Sequence, residues 1–446
     1  MSEKIRIKKG LDIPLGGKPS DKVTSDNASH LFAIYPDDFP GPVWKSAVKT
    51  GDKVVAGDVL LCDKSSGKIC LVAPVSGEIK EINRGERRHI NFISIESIQS
   101  DKEKEPLPPE KNDKSPEEIT ELLQRSGLWA MMRQRPYDIV PEPEAVPRDI
   151  FVTAFDTAPL AGEILAEEDK NWLEKGIGCL SKLTKGKVYL GIKYGQNLTS
   201  KIAEVHEFEG PHPAGNVGPQ IAALKPVNKG EIVWTLDART VVRIGKLCTS
   251  GIHDYETLVA ITGQDVEDPH LVKAIVGASI EGLLKGFVKD PRGERIISGN
   301  VLTGIKVGVD GFLRYPYRQI TVIPEGDDAD EFMGWASMDP GKFSVKRTFP
   351  AFIKGLAKPF AFDARIKGGK RAMILSGEYD KVFPFDIYPE YLLKAIIAKD
   401  IDRMEKLGIY EVAPEDFALP EFVDTSKQEL QKTVREGLDY LRKELS

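Results

Sequence analysis

Three short stretches carry the side chains that could do chemistry. In LWAMMRQRPY the ring faces of Trp129 and Tyr137 and the sulfur of Met131 stand among the fixed positive charges of Arg133 and Arg135. That mixture can wall a flat ligand and donate hydrogen bonds to its oxygens. In GPHPAG, His212 lies between two prolines that stiffen the loop. A histidine titrates near neutral pH, so it can donate a hydrogen bond and supply a proton. The third stretch is Asp63-Lys64, an amine at the tip of a β-rich segment. Each has a plainer reading beside it: Trp129, Met131 and Met132 as core, Arg133 and Arg135 as ion-pair or interface residues, His212 as a turn holder, Lys64 as an exposed lysine.

The elements that must position these residues follow from pattern. Val48 to Arg88 sets Gly-Asp turns at Gly51-Asp52 and Gly57-Asp58 between short β-branched runs, a hairpin signal because glycine supplies positive φ. The layout resembles the biotinyl/lipoyl carrier domain, a β-sandwich whose hairpin tip presents a lysine. Lys64 follows Leu60-Leu61 closely and its spacing to Pro74 sets a different register, so the module reads as a carrier fold without its carried group. Ile5 to Lys8 alternates like a strand and is expected to pack on this module. The expected divisions are a carrier-like β domain at 1–98, a charged, proline-rich linker at 99–115, a Rossmann-like α/β domain at 116–257, a β-grasp module at 258–313, a mixed β region at 314–380 and a helical domain at 381–446.

Within those divisions, Ser115 caps a helix from Pro116 to Gly127. Strands are expected at Ile150 to Phe155, Val188 to Ile192, Glu204 to Phe208 and Ile232 to Leu236, with helices at Ala166 to Leu183 and after Asp237. Their alternation implies a doubly wound, partly parallel sheet. Ile261-Thr262-Gly263 ends a strand, Ser279 to Leu284 is a helix, and RYPYRQITVIPE alternates like a strand. Tyr388 to Leu407 reads as one helix. In the last helix, Lys427 to Leu445, residues Leu430, Val434, Leu438, Leu441 and Leu445 form an apolar stripe expected to dock on the chain's own C-terminal domain.

Several chemistries are argued against. The first α/β strand is followed by AFDTAPLAGEIL, with one glycine, and Gly176-Ile177-Gly178 sits inside a helical pattern, so no phosphate-binding turn is expected. Cys62, Cys70, Cys179 and Cys248 are scattered without a C-x-x-C, which argues against an iron–sulfur cluster or structural zinc. The net charge of −6 disfavours nucleic acid. The one basic cluster, Arg84, Arg87, Arg88 and His89, reads as a solvated hairpin or as a contact with acidic lipid headgroups or a partner. No run approaches the roughly 18 apolar residues of a membrane span. Met1 to Pro19 lacks a signal-peptide core, so a cytosolic protein is expected unless a partner holds it elsewhere.

Taken in order, IRIKKGLDIPLGGKP, LCDKSSGKICLVAPVSGEIKEINRGERR, SGLWAMMRQRP, IFVTAFDTAPLA, FEGPHPAGNVG, KAIVGASIEGLL, RIISGNVLTG and EYDKVFPFDIYPEYLLKAI resemble the A-subunit family of Na⁺-translocating NADH:quinone oxidoreductases. The resemblance implies a peripheral subunit on the cytoplasmic face of a bacterial membrane, against the B subunit, in a complex that oxidises NADH, reduces quinone and exports sodium. It implies no cofactor on this chain, with flavins and iron–sulfur centres on other subunits. It extends more weakly to the Rnf complex C subunit and the flavin-binding subunit of complex I. Where those relatives carry a Gly-rich flavin cradle, this chain reads SGLWAMMRQRP, with Gly127 alone. Their C-terminal cluster cysteines are also missing, since Gly408 to Thr425 contains none. Under this resemblance Trp129, Arg133, Arg135, Tyr137 and His212 become candidates for a quinone site. A docking-only subunit and a flavin- or cluster-bearing subunit of the Rnf type remain the alternatives.

Overall fold

The computed structural model describes residues 4–26, 28–98, 114–327, 341–345, 359–360 and 362–445. The glycine-punctuated N-terminal segment folds into two small antiparallel sheets. One orders Leu31–Ile34, Ile90–Ser97, Gly77–Arg84 and Lys53–Val54; the other orders Trp44–Ser46, Val59–Asp63 and Cys70–Val72. Ile79, Ile93 and Ile95 are wholly buried, as inward-facing strand residues in a sandwich must be, and the adjacent Leu60 and Leu61 are both buried where the pairing shifts register between Val59 and Leu61. At the hairpin tip the Asp63 carboxylate turns back to accept from the Ser65 and Ser66 hydroxyls at 2.7 and 2.8 Å, and Lys64 is left exposed.

A six-stranded sheet follows, in the order Lys4–Arg6, Glu204–Glu209, Val188–Lys193, Asp149–Thr153, Val233–Asp237 and Arg133–Arg135. All its pairings are parallel except the last. The opening strand therefore corrects the expectation: it joins the edge of this sheet rather than the sandwich. Helices Lys170–Ser181 and Ala238–Ser250 lie side by side. A Cβ on Gly176 would stand 2.0 Å from the Val241 carbonyl oxygen, and one on Gly245 would stand 2.0 Å from that of Trp172. The Gly176-Ile177-Gly178 pattern thus serves helix packing.

The third sheet orders Ile305–Val307, Glu294–Ser298, Gln319–Pro324, Glu256–Thr262, His270–Ile275 and Val23–Ser25. Gln319–Pro324, expected in a separate mixed region, lies inside it between Glu294–Ser298 and Glu256–Thr262. Residues 4–34 thus contribute one strand to each of three sheets. The expected linker lies almost wholly outside the described residues, as does much of 314–380. The helix after it is present as Pro116–Arg125, and its cap is a full capping box between Ser115 and Glu118.

Two helical expectations change. Tyr388 to Leu407 is two helices, Pro389–Ile397 and Ile401–Lys406. The break falls at Lys399, whose φ is 54°, and Asp400 caps the second helix by accepting from the Arg403 N–H. The loop GPHPAG, stiffened by its prolines as expected, runs on into a helix not expected there, Val217–Leu224. The C-terminal helix Leu430–Leu445 does dock on its own unit: Leu430, Val434, Leu438 and Leu441 are fully buried beside Phe383, Leu392 and Phe417. Leu445, counted in that stripe, is exposed. The cysteines, scattered in sequence, come together as two pairs, Cys62 with Cys70 and Cys179 with Cys248.

Candidate functional site

The parallel neighbours Asp149–Thr153 and Val233–Asp237 end together, and their carboxyl ends open on a crevice against the third sheet. In open α/β sheets this is where ligands lodge. The crevice holds a cavity of about 230 Å³ whose walls include Met131, Arg133, His212, Asp237, Tyr315 and Glu415. A neighbouring cavity beside Tyr35, Phe39 and Arg243 shares Met131, Asp237 and residues 315–318 with it.

The five candidates separate here. Arg133 and His212 line the crevice together. Arg133 donates to the backbone carbonyls of Ala130, Met132 and Asp38 at 2.9, 3.2 and 2.6 Å, and its guanidinium lies 5.5 Å from the centre of the Tyr315 ring. No carboxylate among the described residues forms an ion pair with it. His212 is buried, and burial holds it below its ordinary value against the opposing pull of Asp156 and Asp12. Thr157 Oγ1 accepts from the Gly215 N–H at 2.9 Å and lies 3.2 Å from His212 Nδ1. The hydroxyl can donate to Nδ1 or, through its second lone pair, accept from an Nδ1–H, so this contact joins Thr157 to the ring in either tautomer.

Trp129, Arg135 and Tyr137 are placed otherwise. Trp129 is buried, donates through Nε1 to the Pro141 carbonyl at 2.8 Å and meets Trp234 edge to face at 5.0 Å. Arg135 is 2 % exposed and pairs with Asp416 at 2.9 Å, with a further bond to the Glu411 carbonyl. Tyr137, at φ 82°, packs against the C-terminal cluster, and its carbonyl accepts from Arg435 at 2.6 Å. None of these three lines the crevice.

Other residues complete the walls. Asp237 caps helix Ala238–Ser250 by accepting from the Thr240 N–H at 2.6 Å. Burial would raise its carboxyl, but Arg318 and that N–H hold it low. The Tyr315 hydroxyl donates to the Met131 carbonyl at 2.6 Å and burial pushes it up to about 12, so it stays protonated. Glu415 reaches in from the C-terminal unit. Its side chain is open to the crevice yet surrounded by protein, and burial with Asp416 beside it pushes it up to about 8. Among the described residues no group of three or more His, Cys, Asp or Glu gathers as a metal site. The RYPYRQ pattern could have flagged Tyr315, Tyr317 and Arg318, since it alternates rings with charge. Nothing local marks Glu415.

Three family models match: "NqrA N-terminal barrel-sandwich hybrid domain" over residues 5–98, "NqrA second alpha/beta domain" over 114–253 and "NQRA C-terminal domain" over 258–308. The chain is 37% identical to the A subunit of the Na(+)-translocating NADH-quinone reductase of Neisseria meningitidis serogroup B, covering 99% of this chain and 100% of that one. It is also 37% identical to the protein of the same name from Yersinia pseudotuberculosis serotype O:1b, with the same coverage. Among solved structures, an air-oxidized NAD⁺-reducing [NiFe]-hydrogenase covers 73% of this chain and 61% of its own at 12% identity and TM-score 0.38, too loose a likeness to bear on function.

Proposed function

Since the chain belongs to the A-subunit family of Na⁺-translocating NADH-quinone reductases, we propose that its part in that sodium-pumping complex is to shape the quinone site. The quinone ring lodges in the crevice between the second and third sheets. A cavity of about 150 Å³ already accepts a benzene ring, so a space of about 230 Å³ suits one substituted ring. One observation carries the reading: Arg133, a guanidinium without a carboxylate partner among the described residues, and His212 line the same cavity as the Tyr315 ring. Arg133 donates to a quinone oxygen. The Tyr315 ring, stacked on Phe39 at 5.0 Å, forms part of the cavity wall, and His212 with its proton on Nε2 donates to the quinone oxygens. The proton that Glu415 holds at neutral pH is available to the reduced ring.

In this reading the chain carries no flavin or cluster of its own, and electrons reach the quinone from other subunits. The B subunit is its principal neighbour, at the cytoplasmic face of the membrane. Among the described residues no helix is long and apolar enough to cross a membrane. The sheet of residues 133–237 is read as a Rossmann-like unit without its glycine turn, and the sheet of 256–324 as a β-grasp module extended by one edge strand from residues 23–25. This reading keeps the expected divisions as units but assigns 314–324 to the third, and the strands Lys4–Arg6 and Val23–Ser25 to the sheets of the second and third.

One surface favours the docking-only alternative. Tyr388, the N-cap of Pro389–Ile397, and Tyr391 stand exposed three positions apart with their rings 6.1 Å apart, and Ile397, Ile374 and Leu375 are also exposed in that unit. Such a face fits a partner protein of the complex. A photoreactive quinone analogue on the assembled complex separates the readings. Label on crevice residues that Arg133→Ala or His212→Ala abolishes supports the quinone site. Label confined to other subunits, with turnover unchanged in both variants, removes it.

A further inference from the structure

Two sulfurs meet where the quinone site has no use for them. Cys62 and Cys70 oppose each other across the hairpin of strands Val59–Asp63 and Cys70–Val72, with their Sγ atoms 2.6 Å apart. At the next rung the Asp63 N–H donates to the Ile69 carbonyl at 2.8 Å. Hydrogen-bonded and non-hydrogen-bonded rungs alternate in an antiparallel pair, so Cys62 and Cys70 form a non-hydrogen-bonded rung with Cα atoms about 4.5 Å apart. This lies within the roughly 4.4 to 6.8 Å that a disulfide spans, and no backbone movement is needed to join them.

Access differs between the two. Cys62 is half-buried and reachable from solvent, whereas Cys70 is buried. Burial and contact with Cys62 push the Cys70 thiol well above its ordinary value. The less shielded sulfur is the point of entry and the shielded one the point of closure. Beside them, Lys68 at the tip pairs with Glu144 at 3.0 Å, across to the segment that leads into the second sheet.

We propose that Cys62 and Cys70 are a reversible thiol–disulfide modification site whose reaction partner is a small-molecule disulfide of the glutathione type. Cys62 sulfur attacks one sulfur of the reagent. The reagent's S–S bond breaks, and half of it leaves as a thiol that takes up the Cys62 proton. Cys70 sulfur then attacks Cys62 in the mixed disulfide and releases the second half as a thiol with the Cys70 proton. Two protein thiols are oxidised and one reagent disulfide is reduced to two thiols. The closed bond ties the tip that carries the Lys68–Glu144 contact.

The test uses the full chain in a Cys179→Ser/Cys248→Ser background, which removes the second pair. Glutathione disulfide is added, and intact mass, free-thiol titration and peptide mapping are read. The expected product has lost two hydrogens, carries no glutathione and yields one peptide pair linked through Cys62 and Cys70. A reducing dithiol restores both thiols. With Cys70→Ser the expected product is a stable glutathione adduct on Cys62, and with Cys62→Ser the reaction rate falls at least tenfold. The proposal is overturned if Cys62 keeps a glutathione adduct while Cys70 remains a free thiol, or if both thiols survive in folded protein.

Discussion

Arg133 and Arg135 stand two residues apart on one short strand, and the regions around them are built on opposite terms. The Arg135 side is closed: guanidinium and carboxylate are both buried, and Asp416 also accepts from the Ala413 N–H at 2.8 Å, locking the C-terminal unit against the sheet. On the Arg133 side the cation leans on carbonyl oxygens and a ring, with its face toward a cavity. A buried ion pair has used up its charge, whereas a carbonyl-capped cation keeps charge for a ligand. Alternating strand geometry would place residues 133 and 135 on one face, so the difference comes from what each meets there rather than from the strand.

The largest test of this contrast is Asp416→Ala. It leaves Arg135 charged and buried with the Glu411 carbonyl but no carboxylate against it, so stability should fall by about 3–5 kcal/mol in denaturant unfolding. Arg133→Ala should lower stability by only about 1 kcal/mol, because the freed carbonyls can be rehydrated from the cavity. Labelling by the quinone analogue should fall much further. A loss for Arg133→Ala that matches Asp416→Ala would erase the distinction between the two sides.

A subtler test is Glu415→Gln. The folded carboxyl sits at about 8 against an ordinary 4.5, so the folded state binds the extra proton between those values. Its contribution to stability is therefore fully present below pH 4.5 and is lost as pH rises to 8. The wild type should lose stability across that window, and Glu415→Gln, which cannot titrate, should show a flatter profile. Smallest of all, Lys64→Ala at the exposed tip should change stability by less than about 0.5 kcal/mol. A larger change would mean that the tip lysine has a partner in the fold.

Much of the chain was legible because its signals are local. The Ser115 capping box, the Asp237 cap and the stripe Leu430, Val434, Leu438 and Leu441 each depend on residues within a few positions of one another. The break at Lys399 is not legible because apolar periodicity continues across it and only the backbone reversal at Lys399 separates the two helices. Arg133 and His212 were nameable as donors, but nothing in the sequence showed that they share a cavity or that Arg135 is spent on Asp416, 281 positions away.

What the sequence determined by itself was the inventory: which segments alternate, which residues can donate a hydrogen bond or a proton, and which family pattern they follow in order. Tertiary structure decided which of those groups are satisfied and which still face open space. It also sent the first strands to three different sheets and brought Glu415 to the crevice. The physical reason is that periodicity and capping act over a turn or two of chain, while burial and charge pairing depend on distance in space, which only the folded chain sets.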